Sequence, residues 1–203
     1  IDTVKRTFNA TTQYAHIPMS THLRKHFKSP NPAMNVHRRD ESIATDTVFS
    51  DTPAIDDGSM CAQIYIGMES QVCDAYGMKT DGQFVNTLQD NIRQRGAPSR
   101  LISDRAQAEI SNKVKDILRA LIIGAWQSEP HQQHQNPAER RYQDVKRTTN
   151  TVMDRTGSPA NTWLLALMYV CFVLHFTATA SLAWRTHLSV LVRPTSDIRN
   201  LLS

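Results

Sequence analysis

"SIATDTVFSDTPAIDDGSMCAQIYIGMESQVCDAYGM", residues 42–78, is the stretch that decides the fold of this chain. Three runs in it, "SIATDTVFSDT", "MCAQIYIG" and "SQVCDAYGM", are rich in β-branched and aromatic residues or alternate in polarity, which is typical of strands. The turn "PAIDDGS" separates the first two runs, and its Asp57-Gly58 pair is a hairpin-type signal. The stretch therefore predicts an antiparallel meander of three strands.

After the meander, helix and strand patterns alternate. "GQFVNTLQDNIRQR" has its apolar residues on one helical face and stops at Gly96, "SRLISD" reads as a short strand, "AEISNKVKDILRAL" as a helix and "LIIGAWQSE" as a strand. A helix over about 138–155 and the apolar helix "NTWLLALMYVCFVLHF" follow. This order predicts an α/β fold, in which a mixed five-stranded sheet combines the three-strand meander with two parallel strands and is flanked by helices.

The last apolar segment is short. Trp163 to Phe176 is only fourteen residues, which predicts a buried core helix and no membrane partner. We divide the chain into a basic extended arm or linker over 1–42, a folded core over 43–180 and an extension over 181–203. Because the chain does not begin with Met, we take it as a piece of a longer protein.

The charge is unevenly distributed along the chain. Residues 1–39 carry seven Lys/Arg and one Asp, residues 40–92 carry ten Asp/Glu and one Lys, and residues 93–203 carry fifteen Lys/Arg and eight Asp/Glu. Basic flanks indicate a polyanionic partner such as nucleic acid, although they also suit an ordinary solvated surface. An acidic centre offers the carboxylates that hard metal ions prefer.

Three acids fall at element ends on this map. Asp51 ends the first strand, Asp104 ends the fourth, and Glu139 lies in the first turn of the helix after the fifth. Strand ends next to a helix start form the crevice in which α/β sheets bind ligands. Two Mg²⁺ ions about 3.5–4 Å apart, held by such carboxylates, can promote attack on a phosphodiester. The alternative for Glu139 is a glutamate that only stabilises the positive end of its helix.

The same helix carries candidate DNA contacts. Glu139, Gln143 and Lys146 are spaced i, i+4, i+7 and share one helical face, so Lys146 is placed to touch a DNA phosphate near the metals. The alternative for Lys146 is a solvated surface lysine. Positive charge beside this face comes from three arginines: Arg140, Arg141 and Arg147.

Three blocks of the chain are similar to a known family. "VFSDTPAIDDG", "LISDRAQAEIS" and "HQNPAERRYQDVKRTTN" resemble the three acidic blocks of the retroviral-type integrase catalytic core, most closely that of copia-type LTR retrotransposon polyproteins. Glu139 follows Asp104 by 35 positions, a spacing similar to the D,D(35)E pattern of that family, and "NPAER" resembles its "NGxAER". The resemblance covers about residues 43–200, so the segment 43–180 is identified as an integrase-like catalytic core.

The resemblance implies a ribonuclease H-like fold and DNA integration. Such cores process cDNA ends and join them to target DNA, with Mg²⁺ or Mn²⁺ as the cofactor. By position, Asp51, Asp104 and Glu139 would hold the metal; Asp46 is a rival for the first acid, and we prefer Asp51 because "FSD" before a turn fits the copia-type pattern. The resemblance also implies a homo-oligomer that works in the nucleus or in an intracellular particle.

The chain departs from the family pattern in several places. Arg105-Ala106 stands where Asn-Gly usually follows the second Asp, and Pro137 replaces a Gly. The zinc-binding His/Cys module of the family is missing or lies upstream. Two alternatives therefore stay open: a catalytically inactive nucleic-acid-binding relic, and a structural domain with no role in DNA chemistry.

Overall fold

The computed structural model describes residues 29–103, 111–127 and 137–192. Its main sheet has the strand order β3-β2-β1-β4-β5, with β1–β2 and β2–β3 antiparallel and β1–β4 and β4–β5 parallel. The strands are β1 (Ser42–Phe49), β2 (Cys61–Gly67), β3 (Cys73–Met78), β4 (Arg100–Ser103) and β5 (Gly124–Gln127). The predicted meander and the two added parallel strands are confirmed.

Helices cover both faces of this sheet. Helices α1 (Phe84–Arg95) and α2 (Asn112–Ala120) pack on one face, and α3 (Pro137–Thr156) and α4 (Trp163–Phe176) pack on the other. All seven positions of β2, an interior strand between β3 and β1, are buried, because side chains on both of its faces meet a helix layer. A small sheet of β6 (Ala178–Thr179) and β7 (Arg185–Thr186) and the helix α5 (His187–Val192) follow.

Successive residues of β1 belong to different cores. Ile43 faces the cluster under α1 and α2, whereas Ala44 faces the cluster under α3 and α4. Val48 packs against the second cluster as well. Since side chains alternate along a strand, Asp46 shares the α3 face of the sheet with Ala44 and Val48.

Gly96 ends α1, as the sequence predicts. Its φ is +97°, and its N–H donates to the carbonyl oxygen of Ile92 at 2.9 Å. A Cβ at this position would lie 2.7 Å from His37 Nδ1 and 2.9 Å from the His37 carbonyl oxygen. Both the positive φ and the close approach therefore require glycine at this helix end.

The edges of the predicted segments differ from the observed ones in detail. Strand β1 ends at Phe49, whereas the predicted strand ran on through Thr52. In the described part of the predicted arm, Arg39 and Glu41 are buried and form an ion pair of 2.6 Å against the core. The predicted boundary after residue 180 falls between the paired strands β6 and β7. The domain limits themselves stay predictions.

Helix α4 packs in the core as predicted, but only one of its faces is buried. One face packs on the sheet, and no described residue covers the other. That uncovered face exposes five large apolar side chains: Leu165, Met168, Tyr169, Phe172 and Val173. Among the helices in the described ranges, none has the length and apolar character needed to cross a bilayer.

Candidate active site

Asp46 lies in the middle of β1, half-buried on the face that α3 covers. The backbone N–H of Thr47 donates to Asp46 Oδ1 at 2.8 Å. On the opposite face of the strand, the Thr47 hydroxyl donates to Gln63 Oε1 at 2.7 Å, and the Gln63 amide donates to the Thr45 hydroxyl. These bonds hold the β1–β2 hairpin in register and so hold Asp46 against the helix layer.

The register between β1 and β4 decides which acid of the first strand meets the end of the fourth. The parallel pairing runs from Ser42 opposite Arg100 to Ala44 opposite Ile102. Ser103 ends β4, and Asp104 follows it in the sequence but lies outside the described residues. Asp46 is two residues past Ala44, just as Asp104 is two residues past Ile102.

Asp51, the predicted first acid, lies beyond the end of β1. Strand β1 ends at Phe49, about 10 Å beyond Asp46 at the usual rise of a strand, and Asp51 follows in the exposed turn after it. The pairing of β1 with β4 involves its first residues, at the opposite end of the strand from Asp51. The structure therefore brings Asp46, and not Asp51, toward the end of β4.

Glu139 lies in the first turn of α3 and is half-buried. Tyr142 follows three residues later on the same helical face and packs against the core cluster that contains Ala44. Burial and then the Asp46 carboxylate raise the pKa of Tyr142 to about 12. Asp46 therefore lies near Tyr142, and the Asp46 and Glu139 carboxylates are on the same side of the sheet.

These two carboxylates fit a hard divalent cation by their chemistry, because Mg²⁺ prefers oxygen ligands and needs few protein carboxylates. Within the described ranges, no group of three or more His, Cys, Asp or Glu side chains is close enough to hold a metal. Asp104, the third acid of the predicted set, lies outside those ranges.

The predicted DNA-binding side chains of α3 are exposed: Arg140, Gln143, Lys146 and Arg147. Arg147 is engaged by Asp144 at 2.6 Å, an i,i+3 pair on the helix surface. Lys146 and Gln143 continue the face of Glu139. The helix therefore presents a carboxylate at its start and polar or basic groups along the next two turns.

Two neighbours of the site did not stand out in the sequence. Tyr142 is at i+3 from Glu139, and that helical spacing could have identified it. His187 contacts Arg141 of α3 from 46 residues away, with Nδ1 at 2.9 Å from Arg141 Nη2. Nothing in the local sequence around His187 indicates that contact, because it depends on how α5 packs on α3.

No family model and no curated protein matches this chain. The HTLV-2 integrase catalytic core domain in complex with magnesium is similar in its trimeric form, with 13% identity, a TM-score of 0.58 and coverage of 75% of this chain and 97% of that chain. The dimeric form of that domain gives 14% identity, a TM-score of 0.58 and coverage of 77% and 97%.

A third similar structure comes from a larger assembly. It is the simian T-cell lymphotropic virus intasome in complex with PP2A regulatory subunit B56 gamma, with 15% identity, a TM-score of 0.57 and coverage of 78% of this chain and 57% of that chain. At sequence identities this low, the structural similarity establishes a shared fold. This chain therefore has the ribonuclease H-like fold of retroviral integrase catalytic cores.

Proposed function

We propose that this chain is the catalytic core of a copia-type integrase, a metal-dependent polynucleotidyl transferase and endonuclease that processes cDNA ends and joins them to target DNA. The observation that carries the proposal is the position of Asp46, which lies on the α3 face of the sheet and acts electrostatically on Tyr142, one turn from Glu139. The fold shared with integrase cores and the D,D(35)E-like spacing support it.

The first acid in this proposal is Asp46 instead of Asp51. If the register of β1 with β4 continues for two residues, Asp46 and Asp104 lie on neighbouring strands with their side chains on the same face. Glu139 would complete the set from α3. Bound as two ions, Mg²⁺ or Mn²⁺ would polarise the scissile phosphodiester and lower the pKa of the attacking oxygen.

The predicted site residues have distinct roles in this scheme. Asp46, Asp104 and Glu139 would hold the cations, whose charge also offsets the repulsion among the three carboxylates. Gln143 and Lys146 would hold the DNA backbone along the same helical face. Two arginines beside that face, Arg140 and Arg147, would make further contacts with the DNA backbone. Arg140 is open to solvent, and Arg147 also forms an ion pair with Asp144.

The exposed apolar face of α4 supports a homo-oligomer. Five large apolar side chains on one helix face form a continuous patch of the kind that protein interfaces cover. The HTLV-2 core domain was solved in dimeric and trimeric forms. We propose that a second copy of this chain covers the α4 face. We also propose that the oligomer works in the nucleus or in an intracellular particle.

A second candidate function is nucleic-acid binding without catalysis. Two departures from the family pattern favour it, both next to the acids: Arg105-Ala106 directly after Asp104, and Pro137 two residues before Glu139. These replacements put bulk and positive charge where the family has flexible Asn-Gly and Gly. A relic of this kind would keep the basic helix surface and lose turnover.

Nicking and strand-transfer assays on short duplex DNA, with Mg²⁺ and with Mn²⁺, separate these functions. Glu139→Gln should abolish the metal-dependent products, and Glu69→Gln, the same change at an exposed position of the β2–β3 turn, should keep them. Products that survive Glu139→Gln would refute the catalytic assignment. If the wild type binds DNA with an affinity that falls with salt but makes no products, the chain is a non-catalytic nucleic-acid-binding protein. An affinity for DNA that does not change with salt would favour a structural domain.

A further inference from the structure

Arg141 of α3 is a half-buried cation that lacks a carboxylate partner among the described residues. The nearest acid on the helix, Asp144, is bound to Arg147 at 2.6 Å. Because its side chain is half-buried, the guanidinium has lost part of the water that would solvate it. An uncompensated charge of this kind is costly, and native proteins rarely keep one without a function.

The contacts of Arg141 do not supply the missing negative charge. Its Nη2 donates to the ring of His187, with Nδ1 at 2.9 Å and Nε2 at 3.2 Å. Burial and the Arg141 charge lower the pKa of His187 to about 4, so the imidazole is neutral at neutral pH. The Nε of Arg141 is buried and makes no hydrogen bond in the described structure. The guanidinium is thus oriented by His187 but not neutralised.

A cavity of about 370 Å³ lies beside this guanidinium. Its polar lining comes from three separate parts of the fold: α3, the turn after β2, and the turn between β6 and β7. Ser181 Oγ donates to Gln71 Oε1 at 3.4 Å and lies 3.2 Å from the Thr179 hydroxyl. Arg140 adds a second guanidinium, and among the described residues of the lining the one carboxylate is Asp144, which is already paired with Arg147.

This lining matches the chemistry of an oxyanion. Guanidinium groups bind phosphate oxygens through parallel N–H donors, and hydroxyl and amide groups can complete the shell around a tetrahedral anion. The cavity lies beside Gly67, which pairs with Ile43, whereas the catalytic candidate Asp46 pairs with Ile64. Three residues along β2 correspond to about 10 Å, so the Gly67 side of the cavity is offset from Asp46, while its α3 side, Arg140 and Arg141, directly follows Glu139.

We propose that this cavity binds a phosphate group, with Arg141 as its principal ligand and Arg140, Thr179 and Ser181 around it. The phosphate belongs either to the backbone of a bound nucleic acid or to a small free phosphate compound. In both cases the anion supplies the negative charge that the Arg141 guanidinium lacks in the described structure. The proposal does not depend on catalysis by the three acids.

The test compares Arg141→Gln with Arg155→Gln, which removes the same charge from an exposed position in the last turn of the same helix. Inorganic phosphate is titrated against a chloride control of equal ionic strength, and Tm and calorimetric affinity are measured. A short DNA duplex is titrated in parallel. We expect wild type and Arg155→Gln to bind the ligand, and Arg141→Gln to bind it at least tenfold more weakly.

The two titrations identify the source of the phosphate. A loss in Arg141→Gln that appears with inorganic phosphate identifies a free phosphate compound, and a loss that appears only with DNA identifies a nucleic-acid backbone. Equal binding by Arg141→Gln and Arg155→Gln to both ligands would overturn the proposal. If Arg141→Gln does not fold, the double variant Thr179→Val with Ser181→Ala takes its place, and unchanged affinity for both ligands would again overturn it.

Discussion

Asp46→Asn and Asp51→Asn are the same chemical change at two candidate positions for the first metal-binding acid. Only the first should weaken metal binding, because Asp46 faces α3 and continues the register toward the end of β4, whereas Asp51 lies in the exposed turn after β1. Each substitution removes one carboxylate and keeps the shape of the side chain. Because the chemical change is the same, a difference between the two variants reports the position of the carboxylate in the fold.

The expected size follows from binding linkage. Mg²⁺ at about 100 times its Kd stabilises a folded protein by about 2.7 kcal/mol. A domain of this size gains roughly 2–4 °C in Tm per kcal/mol, so the wild-type Tm should rise by about 5–10 °C. Loss of a group that merely orients a metal ligand weakens metal affinity by about 10–100-fold, and we take the upper value for a ligand itself. The same Mg²⁺ concentration then stabilises Asp46→Asn by about 0.4 kcal/mol, or roughly 1 °C.

Thermal melts followed by circular dichroism, with and without Mg²⁺ at constant ionic strength, measure these shifts. Asp51→Asn should keep the full metal-dependent rise in Tm. If Asp51→Asn loses that rise and Asp46→Asn keeps it, the argument from strand register is wrong. A full rise in both variants would show that neither acid binds the metal.

Three further predictions concern stability and assembly. Burial is the main cause that lowers the pKa of His187 from 6.5 to about 4, so the fold should lose stability as the pH falls from 6.5 toward 4. In urea denaturation, His187→Asn should reduce the loss of unfolding free energy between about pH 7 and pH 4.5 by roughly 2 kcal/mol. Asp74→Asn leaves the largely buried Arg95 guanidinium without its carboxylate and should cost about 3–5 kcal/mol. Asp90→Asn breaks an exposed pair on the same helix and should cost at most about 1 kcal/mol in the same measurement. Phe172→Asp should convert an oligomer into a monomer in light scattering without loss of the fold.

Each of these has a contradicting outcome. An unchanged pH dependence in the His187 variant would mean that its imidazole is not kept neutral in the fold. Equal costs for the Asp74 and Asp90 variants would mean that burial does not set the value of these pairs. A Phe172→Asp protein with the oligomeric state of the wild type would place the interface on another surface.

The comparison of Asp46 with Asp51 shows how far sequence reasoning reaches. Both acids belong to the same predicted strand segment, and a likeness to family blocks favoured Asp51. The choice depends on where β1 stops and how it aligns with β4, some 55 residues downstream. A shift of one residue in that alignment would turn every side chain to the other face, and no local pattern measures it.

Local sequence by itself determined the order of the elements, the antiparallel meander, the glycine end of α1 and the i, i+4, i+7 face of Glu139, because backbone propensity and periodicity act over a few residues. Tertiary structure decided the strand register, the half-exposed face of α4 and the meeting of Arg141 with His187. These features depend on packing between residues that are distant in the chain, where burial and charge are set by the whole fold.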